Sequence, residues 1–370
     1  MKLQIQTAEL VRALYRVQGI ADKKSTMPVL SHVLLNTHAA DEVSVSASDN
    51  EIYLTGSYRA EVEVPGRIAV HARQLYDVVK ALSCPSLTLS RQDNHWVKIC
   101  AGNSRFHLAG MDADAFPEFP QAPLEASHLS AAASTLALMI DRTLFCVSTD
   151  ENRYHLSGIH LATPAGKGLR MVATDGHRLA LAEGPLRSDG RLSEGIIVPR
   201  KGLQELKRLL NDDGDATVDI AVSGTSCIFK VGTAVLSTRL IEGQFPDYEQ
   251  VIPKESTKQA KLSRSDFVDA LRRVSLLSQG RAHGVRFEFK PDCLHLVAED
   301  PKCGDAHEDL PMSYSGDELM IGFNARYVMD ALALIPEQGI RFELSDDLSP
   351  GVLRPEQDDK FLAIVMPMRI

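Results

Sequence analysis

The sequence predicts an α+β fold made of three repeated domains, each an antiparallel sheet with its two helices packed on the same side. Two observations predict it. Three landmarks recur in the same order along the 370 residues, at intervals of about a third of the chain. Strand-like alternation also outnumbers helical periodicity within each repeat, and two helices can cover only one layer of a sheet.

The first landmark is an apolar helical stripe. Its members are Leu10, Leu14 and Val17, then Leu136, Met139 and Ile140, and then Phe267, Leu271 and Val274. The first members of the three sets lie 126 and 131 residues apart. Because residues three and four positions apart share one side of a helix, the stripe predicts a core-facing helix in every repeat.

The second landmark is a strand that ends in an acidic turn at Asp49, Asp175 and Asp300, which are 126 and 125 residues apart. A short carboxylate side chain can accept hydrogen bonds from the backbone that follows it, so these residues are interpreted as turn formers. The third landmark is a short strand that runs through a polar turn into a second helix, over residues 68–82, 196–210 and 320–335.

Proline-containing segments set the domain boundaries. Residues 116–120 (Phe-Pro-Glu-Phe-Pro) and 245–248 (Phe-Pro-Asp-Tyr) close the first two repeats. Proline and the residue before it resist helix formation, so the chain after each segment is predicted to be an extended linker. The predicted domains span residues 1–125, 126–253 and 254–370, each of ordinary domain size.

Composition excludes several classes of protein. With 44% apolar and 24% charged residues, the chain has the balance of a globular protein and not of a disordered one. No apolar run approaches the roughly 20 residues that cross a bilayer. The first residues alternate like a strand and not like a signal peptide, so we expect a cytoplasmic protein that binds no membrane.

The six cysteines show neither a Cys-x-x-Cys pair nor a Cys/His spacing typical of zinc sites. They lie at positions 84, 100, 146, 227, 293 and 303. We expect reduced and mostly buried thiols, no metal ion and no other cofactor.

Basic residues recur at matching positions on the helices. Arg16, Arg142 and Arg273 each lie six positions after the first apolar residue of the stripe, at one angle away from it. Aligned basic faces could contact phosphate backbones without reading sequence, and a solvated helix face is the alternative. On the second helix of the first two repeats, Arg73 corresponds to Lys201 and Lys80 to Arg208.

The formal net charge of −9 limits how DNA could be held. A conventional DNA-binding domain is basic overall. The negative net charge and the aligned basic residues are compatible if the positive charge is confined to an inner surface. Such a protein would bind DNA weakly by contact alone, and topological enclosure is one candidate for holding it.

Two other classes of function remain open at this point. An enzyme could use Asp175, His177 and Arg178, because a carboxylate near a histidine can serve acid/base chemistry. The sequence has no phosphate-binding glycine loop, nucleophile elbow or repeated His/carboxylate set, so no catalytic residue is predicted. A peptide-binding scaffold that never encircles DNA is the other class, and it leaves the aligned arginines unexplained.

Two strings in the sequence are specific: Thr-Asp-Gly-His-Arg-Leu at residues 174–179 and Met-Pro-Met-Arg at residues 366–369. Further matches lie at residues 172–173, 197–202, 243–248, 321–324 and 327–332. On these strings, the whole chain resembles, in order, the bacterial DNA polymerase III beta subunit family, the beta sliding clamps.

The resemblance implies the DNA-clamp fold, with antiparallel sheets outside and two helices per domain inside. It also implies a head-to-tail homodimer that forms a closed ring around double-stranded DNA and tethers DNA polymerase III and other replication or repair proteins. The subunit would be non-catalytic and need no cofactor. The implied protein partners are the polymerase III alpha subunit, the clamp loader delta subunit and other proteins with a clamp-binding motif.

The same resemblance assigns residues to DNA and to the dimer. The DNA contacts are Lys24, Arg73, Tyr154, Arg200 and Lys201, beside the helical Arg16, Arg142 and Arg273. At the dimer interface, Phe106 and Leu108 would face Leu276 and Leu277 of the other copy. Arg105 and Lys98 would face acids among Glu299, Asp300, Asp305 and Glu308.

A hydrophobic pocket for partner peptides is implied at the middle and third domains. Its residues are Leu156, Thr174, Gly176, His177, Arg178, Leu179, Pro246, Val251, Ile364, Val365, Met366, Pro367, Met368 and Arg369. Flexible methionines suit a surface that accepts several peptides. The family commonly has an arginine where this chain has Gln250, which removes any guanidinium contact from that position.

Overall fold

The computed structural model describes residues 1–21, 26–118, 127–192, 194–211, 216–278 and 283–369. Lys24 and the predicted boundary between residues 125 and 126 lie outside these ranges. The chain divides into two compact units that both draw on its middle third, so the predicted domain boundaries stay a prediction. Unit 1 comprises Met1–Ala137, Leu186–Ser193 and Lys201–Leu240, and unit 2 comprises Leu138–Pro185, Glu194–Arg200 and Ile241–Ile370.

Two α-helices lie in each third of the described chain, as the landmarks predict. They are α1 (Thr7–Val17), α2 (Ala72–Lys80), α3 (Ala133–Leu144), α4 (Arg200–Leu210), α5 (Arg264–Val274) and α6 (Ala325–Leu332). Asn324 caps the N-terminus of helix α6, because its Oδ1 accepts hydrogen bonds from the backbone N–H groups of Arg326 and Tyr327. Among the described residues, no helix is both long and apolar enough to cross a membrane.

Strands make up most of the remaining regular structure. The first third contains β1 (Lys2–Gln6), β2 (His32–Ala39), β3 (Glu42–Ser48), β4 (Ile52–Arg59), β5 (Glu61–Val64), β6 (Gly66–His71), β7 (Ser86–Arg91), β8 (Trp96–Ala101) and β9 (Ser104–Met111). The middle third contains β10 (Ser127–Ala132), β11 (Gly158–Ala162), β12 (Leu169–Thr174), β13 (Arg178–Gly184), β14 (Ile196–Pro199), β15 (Thr217–Ser223), β16 (Ser226–Val231) and β17 (Ala234–Arg239). The last third contains β18 (Lys258–Ser263), β19 (Gly284–Lys290), β20 (Cys293–Asp300), β21 (Gly304–Pro311), β22 (Ser313–Ser315), β23 (Leu319–Asn324), β24 (Gly339–Leu344), β25 (Gly351–Pro355) and β26 (Phe361–Val365).

Unit 1 contains one sheet, which in the described residues has 13 strands in the order β10-β15-β16-β17-β4-β3-β2-β6-β9-β8-β7-β1-β5. Strand β17 of the middle third pairs antiparallel with β4 of the first third, with Ala234 opposite Gly56. This pairing joins the two thirds through backbone hydrogen bonds. It explains why they share a compact unit.

Unit 2 contains two sheets in its described part. The nine-stranded sheet runs β14-β11-β12-β13-β26-β25-β24-β18-β22, and the four-stranded sheet runs β21-β20-β19-β23. Strand β13 of the middle third pairs antiparallel with β26 of the last third, with Ala182 opposite Phe361. Strand β21 is the outer strand of its sheet, so its second edge carries no partner strand among the described residues.

The predicted helical stripes are confirmed as core. All nine stripe residues are buried, from Leu10 in α1 to Val274 in α5. The last third has an aromatic core in which Phe267 of α5 contacts Phe287 edge to face, with ring centroids 6.1 Å apart. Burying a side chain of this size stabilises the fold by about 1.5–3 kcal/mol, so the stripe helps to hold each helix against its sheet.

The three acidic turns form the hydrogen bonds that their positions predict. Asp49 Oδ1 accepts the backbone N–H of Ile52 at 2.7 Å, and Asp175 Oδ1 accepts that of Arg178 at 3.0 Å. Asp300 Oδ1 accepts the backbone N–H of Lys302 at 2.7 Å. Each carboxylate therefore closes the turn that follows its strand.

All six cysteines are free thiols, as expected. Cys146 and Cys227 are buried, but Cys84, Cys100 and Cys293 are half-buried and Cys303 is exposed. The expectation of mostly buried thiols is therefore wrong. The alternation of each strand places only every second residue in the core, and Cys100 and Cys293 fall on outward-facing positions. Cys84 and Cys303 lie in turns between elements.

Candidate functional site

The predicted peptide pocket lies where β13 pairs with β26 in unit 2. Leu179 of β13 is opposite Ile364 of β26, and both belong to one buried apolar cluster. The cluster also contains Val172, Leu181, Val352 and Leu362. Phe245, Tyr248 and Ile252 are partly buried and pack against it. The segment after β17 therefore covers one side of this apolar surface.

The turn between β12 and β13 forms one edge of the cluster. Thr174 Oγ1 donates to the carbonyl of Arg178 at 2.7 Å and accepts the N–H of Gly176 at 3.1 Å. Gly176 has φ +88°, a left-handed conformation that side chains rarely adopt. The Thr-Asp-Gly string is thus required by the turn itself, independently of any ligand.

Arg178 is held from several sides. Its Nε donates to Asp175 at 3.0 Å, and its Nη1 donates to Asp330 of α6 at 2.6 Å. Its guanidinium lies over the rings of Tyr327 and Phe145, at 4.5 and 5.3 Å from their centroids. Burial alone would lower the pKa of Arg178, but the bonds to Asp330 and Asp175 outweigh burial and raise it.

His177 is exposed, with its ring stacked on that of Tyr327 at a centroid distance of 6.5 Å. Its backbone carbonyl accepts the N–H of Met366 at 2.9 Å, which ties the turn to the end of β26. The N–H of Met368 donates to the carbonyl of Gly322 at 2.9 Å. The Met-Pro-Met string is therefore fixed by backbone bonds while its side chains stay available.

The predicted pocket residues divide into a buried floor and an accessible rim. Leu156, Thr174, Leu179, Ile364 and Val365 are buried, although Leu156, at the end of a short helix over Glu151–Leu156, is outside the apolar cluster. Arg178, Pro367 and Met368 are half-buried. Gly176, His177, Pro246, Val251, Met366 and Arg369 are exposed. An apolar floor with an accessible rim can bind an apolar peptide side chain.

The segment that covers the cluster has its own supports. His160 stacks on Phe245, with centroids 4.9 Å apart and ring planes within 15°. Arg170 is buried and donates to Glu183 and to the hydroxyl of Tyr248. Gln250 Nε2 donates to Asp247 at 2.8 Å, so its amide is engaged within the segment.

The geometry does not favour the enzyme alternative. Asp175 Oδ1 accepts the backbone N–H of His177, at 2.9 Å, while its Oδ2 binds Arg178. The carboxylate is committed to the turn and to a cation, and the imidazole of His177 stacks on Tyr327. A carboxylate and imidazole that do not converge on one point lack the geometry of an acid/base pair.

The predicted DNA-binding residues fall into separate places. In unit 1, Arg73 and Arg208 line one cavity of about 450 Å³ together with Tyr15, His71 and Tyr76. In unit 2, the N–H of Arg200 donates to the carbonyl of Ser157, whose own N–H donates to the carbonyl of Tyr154. The structure therefore brings helices α2 and α4 together at one basic site, and brings Tyr154 near Arg200 at another.

The three equivalent arginines do not form one solvent-facing row. Arg16 Nη1 donates to the hydroxyl of Tyr58 at 3.5 Å, and Arg273 binds Glu308 with 3.0 Å between Nη2 and Oε2. The Arg142 side chain is only 6% exposed and binds Asp358 at 2.7 Å. The expectation that Arg142 faces DNA is corrected by this burial, because a guanidinium inside an ion pair is closed to phosphate.

Lys201 is also engaged within the chain. Its Nζ binds Asp49, whose carboxylate is nearly buried, so the lysine links α4 to the turn after β3 in unit 1. About half of the Lys201 side chain stays exposed. Its position allows a phosphate contact only in competition with Asp49.

The predicted interface residues lie on accessible edges of the two units. On β9, Arg105 is exposed while Phe106 and Leu108 are half-buried. Leu276 is 65% exposed, in the short turn of helix that follows α5, and Leu277 is half-buried beside it. The structure therefore leaves these side chains at least partly accessible, as contact with a second chain requires.

Three family models match the chain in succession. The DNA polymerase III beta subunit N-terminal domain matches residues 1–120, the central domain residues 131–247 and the C-terminal domain residues 249–369. The chain belongs to the DNA polymerase III beta subunit family. The family predicted from the Thr-Asp-Gly-His-Arg-Leu and Met-Pro-Met-Arg strings is thereby confirmed, and with it the α+β clamp fold.

Curated relatives and solved structures agree with this family. The chain is 36% identical to a beta sliding clamp of Caulobacter vibrioides and 35% identical to that of Pseudomonas aeruginosa, with 100% of each chain covered. The DNA polymerase III subunit beta of Pseudomonas aeruginosa has a TM-score of 0.95 at 34% identity, over 100% of both chains. Members of the beta subunit family are non-catalytic clamps, which sets the enzyme alternative aside.

Sequence reasoning missed one cluster that the beta subunit fold assembles here. Cys293 and His295 of β20 meet Asp309 of β21 on one face of the four-stranded sheet. The Cys-x-His spacing of residues 293–295 was the available signal, since residues two apart on a strand share a face. The third member becomes visible only when the register of β20 and β21 is known.

Proposed function

We propose that two copies of this chain form a head-to-tail ring around double-stranded DNA and tether DNA polymerase III to it. The chain is a replicative sliding clamp by family. The observation that supports ring closure is the second edge of β21, which has no partner strand in the described part of the chain. Strand β21 lies in the same repeat position as two strands that are paired within the chain. The same family membership supports the expected cytoplasmic location.

The repeat explains which strand would pair with this edge. Strands β4, β13 and β21 begin at residues 52, 178 and 304, which are 126 residues apart in each step. Within the chain, β4 pairs with β17 and β13 pairs with β26. The strand of the first repeat that corresponds to β17 and β26 is β9. Within the described residues, β6 pairs with β9 only at Gly110 and Met111, so residues 104–109 have one edge available for a further strand. We therefore assign β9 of a second copy as the partner of β21.

The register of this contact follows from the paired strands. Ala234 lies opposite Gly56, and Phe361 lies opposite Ala182. The equivalent register in the dimer would place Ser104 opposite Glu308, Arg105 opposite His307 and Phe106 opposite Ala306. A contact that uses two different surfaces closes into a ring when the rotation between copies permits it.

Charge supports the same pairing. Arg105 is an outward-facing residue of β9. Lys98 belongs to the neighbouring strand β8, where it lies opposite His107 of β9. The outward-facing side chains at β21 include Asp305, which the proposed register puts opposite His107. Glu308 and Glu299 already bind Arg273 and Arg286 within the chain. Asp305 in turn binds His307 at 3.0 Å, but the proposed register places it opposite the basic edge, so it is the acid that we assign to face Arg105 and Lys98.

We assign DNA contact to the two basic sites. Arg73 and Arg208 would bind phosphate at the cavity in unit 1, and Arg200 with Tyr154 would bind phosphate and a flanking base in unit 2. Such contacts neutralise the backbone and read no sequence, as sliding requires. Arg208 is also bound to Glu205, at 2.9 Å, so it would reach phosphate only in competition with that acid. The same holds for Arg16, which donates to Tyr58, and for Arg273, which binds Glu308.

We assign the apolar cluster and its rim to partner peptides, including those of the polymerase III alpha subunit and the clamp loader delta subunit. A solved sliding clamp of Bartonella birtlesii, 33% identical to this chain with a TM-score of 0.94, is bound to griselimycin. The floor formed by Leu179 and Ile364 and the exposed Met366 and Val251 supports such an apolar site here.

A charge reversal distinguishes the clamp from a peptide-binding scaffold. The variant carries both Arg73→Glu and Arg200→Glu, and the matched control is Lys230→Glu on exposed sheet surface. The clamp predicts that loading or sliding on DNA is impaired in the double variant while peptide binding is kept. A scaffold that never encircles DNA predicts instead that the parent chain, the control and the double variant are equally absent from the DNA after the loading step.

A further inference from the structure

Three metal-ligating side chains converge on the outward face of the four-stranded sheet. Cys293 and His295 are two residues apart on β20, and Asp309 of β21 lies directly opposite His295. One ligand atom from each, sulfur, imidazole nitrogen and carboxylate oxygen, lies within 4.8 Å of the other two. The imidazole Nδ1 of His295 is already hydrogen-bonded to Asp309.

We propose that Cys293, His295 and Asp309 form a site for a Zn²⁺-class divalent transition metal ion, with a fourth position open to water. Thiolate, imidazole and carboxylate are the ligands that zinc takes in proteins, at about 2.0–2.3 Å. Ligands at those distances in a tetrahedral site are about 3.5 Å apart, so shifts of about 1 Å suffice. Side-chain rotation can supply shifts of this size on a surface.

The bond between His295 and Asp309 prepares the site. An imidazole and a carboxylate that share a proton can share a metal ion once that proton leaves. Cys293 would also lose its thiol proton when the metal ion binds. Metal binding at this site therefore releases protons to the solvent, which is a separate measurable consequence.

Two charged residues of the neighbouring strand β19 lie close to the three ligands, so their own contacts decide whether they could join the site. Glu288 of β19 lies opposite His295 on its other side, but its carboxylate is bound to Arg286 at 3.0 Å. Lys290 lies opposite Cys293. Among the described residues, the group of possible ligands contains only Cys293, His295 and Asp309. Three ligands and an open position match these surroundings.

The location gives the ion a structural role at the edge of the sheet. Asp309 belongs to β21, the outer strand, and the other two ligands belong to its neighbour β20. A bound ion therefore ties the edge strand to the sheet. Pairing of a further strand at this edge would use backbone groups and leave the outward side chains on the surface, so the site does not depend on the proposed ring.

Titration of the whole, reduced chain with Co²⁺ tests the proposal. We expect one equivalent bound per chain, the charge-transfer band of a cobalt–thiolate bond, and displacement of cobalt by Zn²⁺. Each of Cys293→Ser, His295→Gln and Asp309→Asn should weaken binding by about tenfold or more, and Cys293→Ser should abolish the band. Proton release on binding should fall in Cys293→Ser.

Two controls make the test specific. Cys303→Ser removes the exposed thiol, and His307→Gln removes the histidine of a second pair, in which His307 binds Asp305 at 3.0 Å. Both controls should bind metal like the parent chain. The proposal is overturned if the parent shows no thiolate band, or if Cys303→Ser lowers the binding as much as Cys293→Ser does.

Discussion

Arg178 of β13 and Asp330 of α6 form an ion pair with 2.6 Å between Nη1 and Oδ2. The arginine begins the strand that forms the floor of the predicted peptide pocket, and the aspartate lies on a helix of the last third. Because Asp175 binds the same guanidinium, one arginine connects the turn, the strand and the helix. The position of Arg178 in the rim of the pocket therefore depends on its ion pairs with Asp175 and Asp330.

Removal of one partner from this ion pair should destabilise the site. In Asp330→Ala, Arg178 keeps Asp175 but loses a charge-assisted bond while it remains largely buried. We expect the free energy of unfolding to fall by about 1–3 kcal/mol, measured by urea denaturation. The control is Asp347→Ala at an exposed position, and an equal loss in both variants would contradict the role assigned to Asp330.

A charge in the rim of the pocket should weaken peptide binding. Met366→Glu and Val251→Glu each place a carboxylate where an apolar peptide side chain would bury. Loss of one buried anchor corresponds to about 1.5–3 kcal/mol, or roughly 10–100-fold in Kd, measured by fluorescence anisotropy with a labelled clamp-binding peptide. Leu348→Glu, at a side chain that is 71% exposed, should leave Kd unchanged. Unaltered affinity in both rim variants would place the peptide elsewhere.

The ion pair of Arg142 and Asp358 should stabilise the fold and not bind DNA. Asp358→Ala leaves a nearly buried guanidinium uncompensated, and we expect a loss of about 2–4 kcal/mol. The double variant with Arg142→Met should recover part of this loss, since both charges are then gone. Urea denaturation of the single and double variants measures both effects. A double variant less stable than either single variant would contradict the ion-pair account.

Acid should weaken the same contact. Burial alone would raise the pKa of the Asp358 carboxyl, but hydrogen bonds from the Lys360 N–H and from Arg142 outweigh burial and hold it below the usual value. The contribution of Asp358 is therefore complete above the pKa of the unfolded carboxyl and is lost as the pH falls through the lower folded pKa. Asp358→Ala should accordingly show a flatter decline in stability with acid than the parent chain.

His160 should make stability depend on pH below neutrality. Burial, with a smaller effect of Arg170, lowers the pKa of His160 from 6.5, so the unfolded chain takes up a proton there before the folded chain does. The free energy of unfolding should fall as the pH drops below about 6.5 and level off below the folded pKa. His160→Phe keeps a ring against Phe245 and should lessen this slope. Identical slopes in the parent chain and this variant, measured as Tm against pH, would contradict this assignment.

The dimer contact should fail when its exposed leucine becomes charged. Leu276→Asp places a carboxylate in the surface that Phe106 and Leu108 of the second copy would cover, next to acidic β21. We expect a shift from dimer to monomer in sedimentation equilibrium with little change in Tm at low concentration. Leu348→Asp, equally exposed, should stay dimeric. A dimeric Leu276→Asp variant would show that the copies meet elsewhere.

The parts of the fold that were predicted from the sequence depend on local pattern. Leu10 and Phe267 were identified as core because helical spacing alone puts such residues on one face. The turns at Asp49, Asp175 and Asp300 involve hydrogen bonds within three residues. The Thr-Asp-Gly-His-Arg-Leu string identified the family, although the hydrogen bonds of Thr174 and Asp175 explain it mainly as a turn.

The parts that could not be predicted depend on distant partners. Arg16, Arg142 and Arg273 share one helical phase, yet each side chain binds a different group, and Asp358 lies 216 residues after Arg142. Periodicity gives the direction of a side chain but not what another repeat places opposite it. For the same reason, the sequence could not predict that Asp309 lies beside Cys293 and His295, because strand register decides which side chains meet.

Release from DNA on linearisation tests the ring most directly. The chain is loaded onto nicked circular DNA by its clamp loader with ATP, isolated with the DNA, and the circle is then cut once with a restriction enzyme. Enclosure predicts that the protein stays on the circle at raised salt and leaves once ends are available. Retention that ignores the cut but falls steeply with salt would mean binding through phosphate contacts and would contradict encirclement.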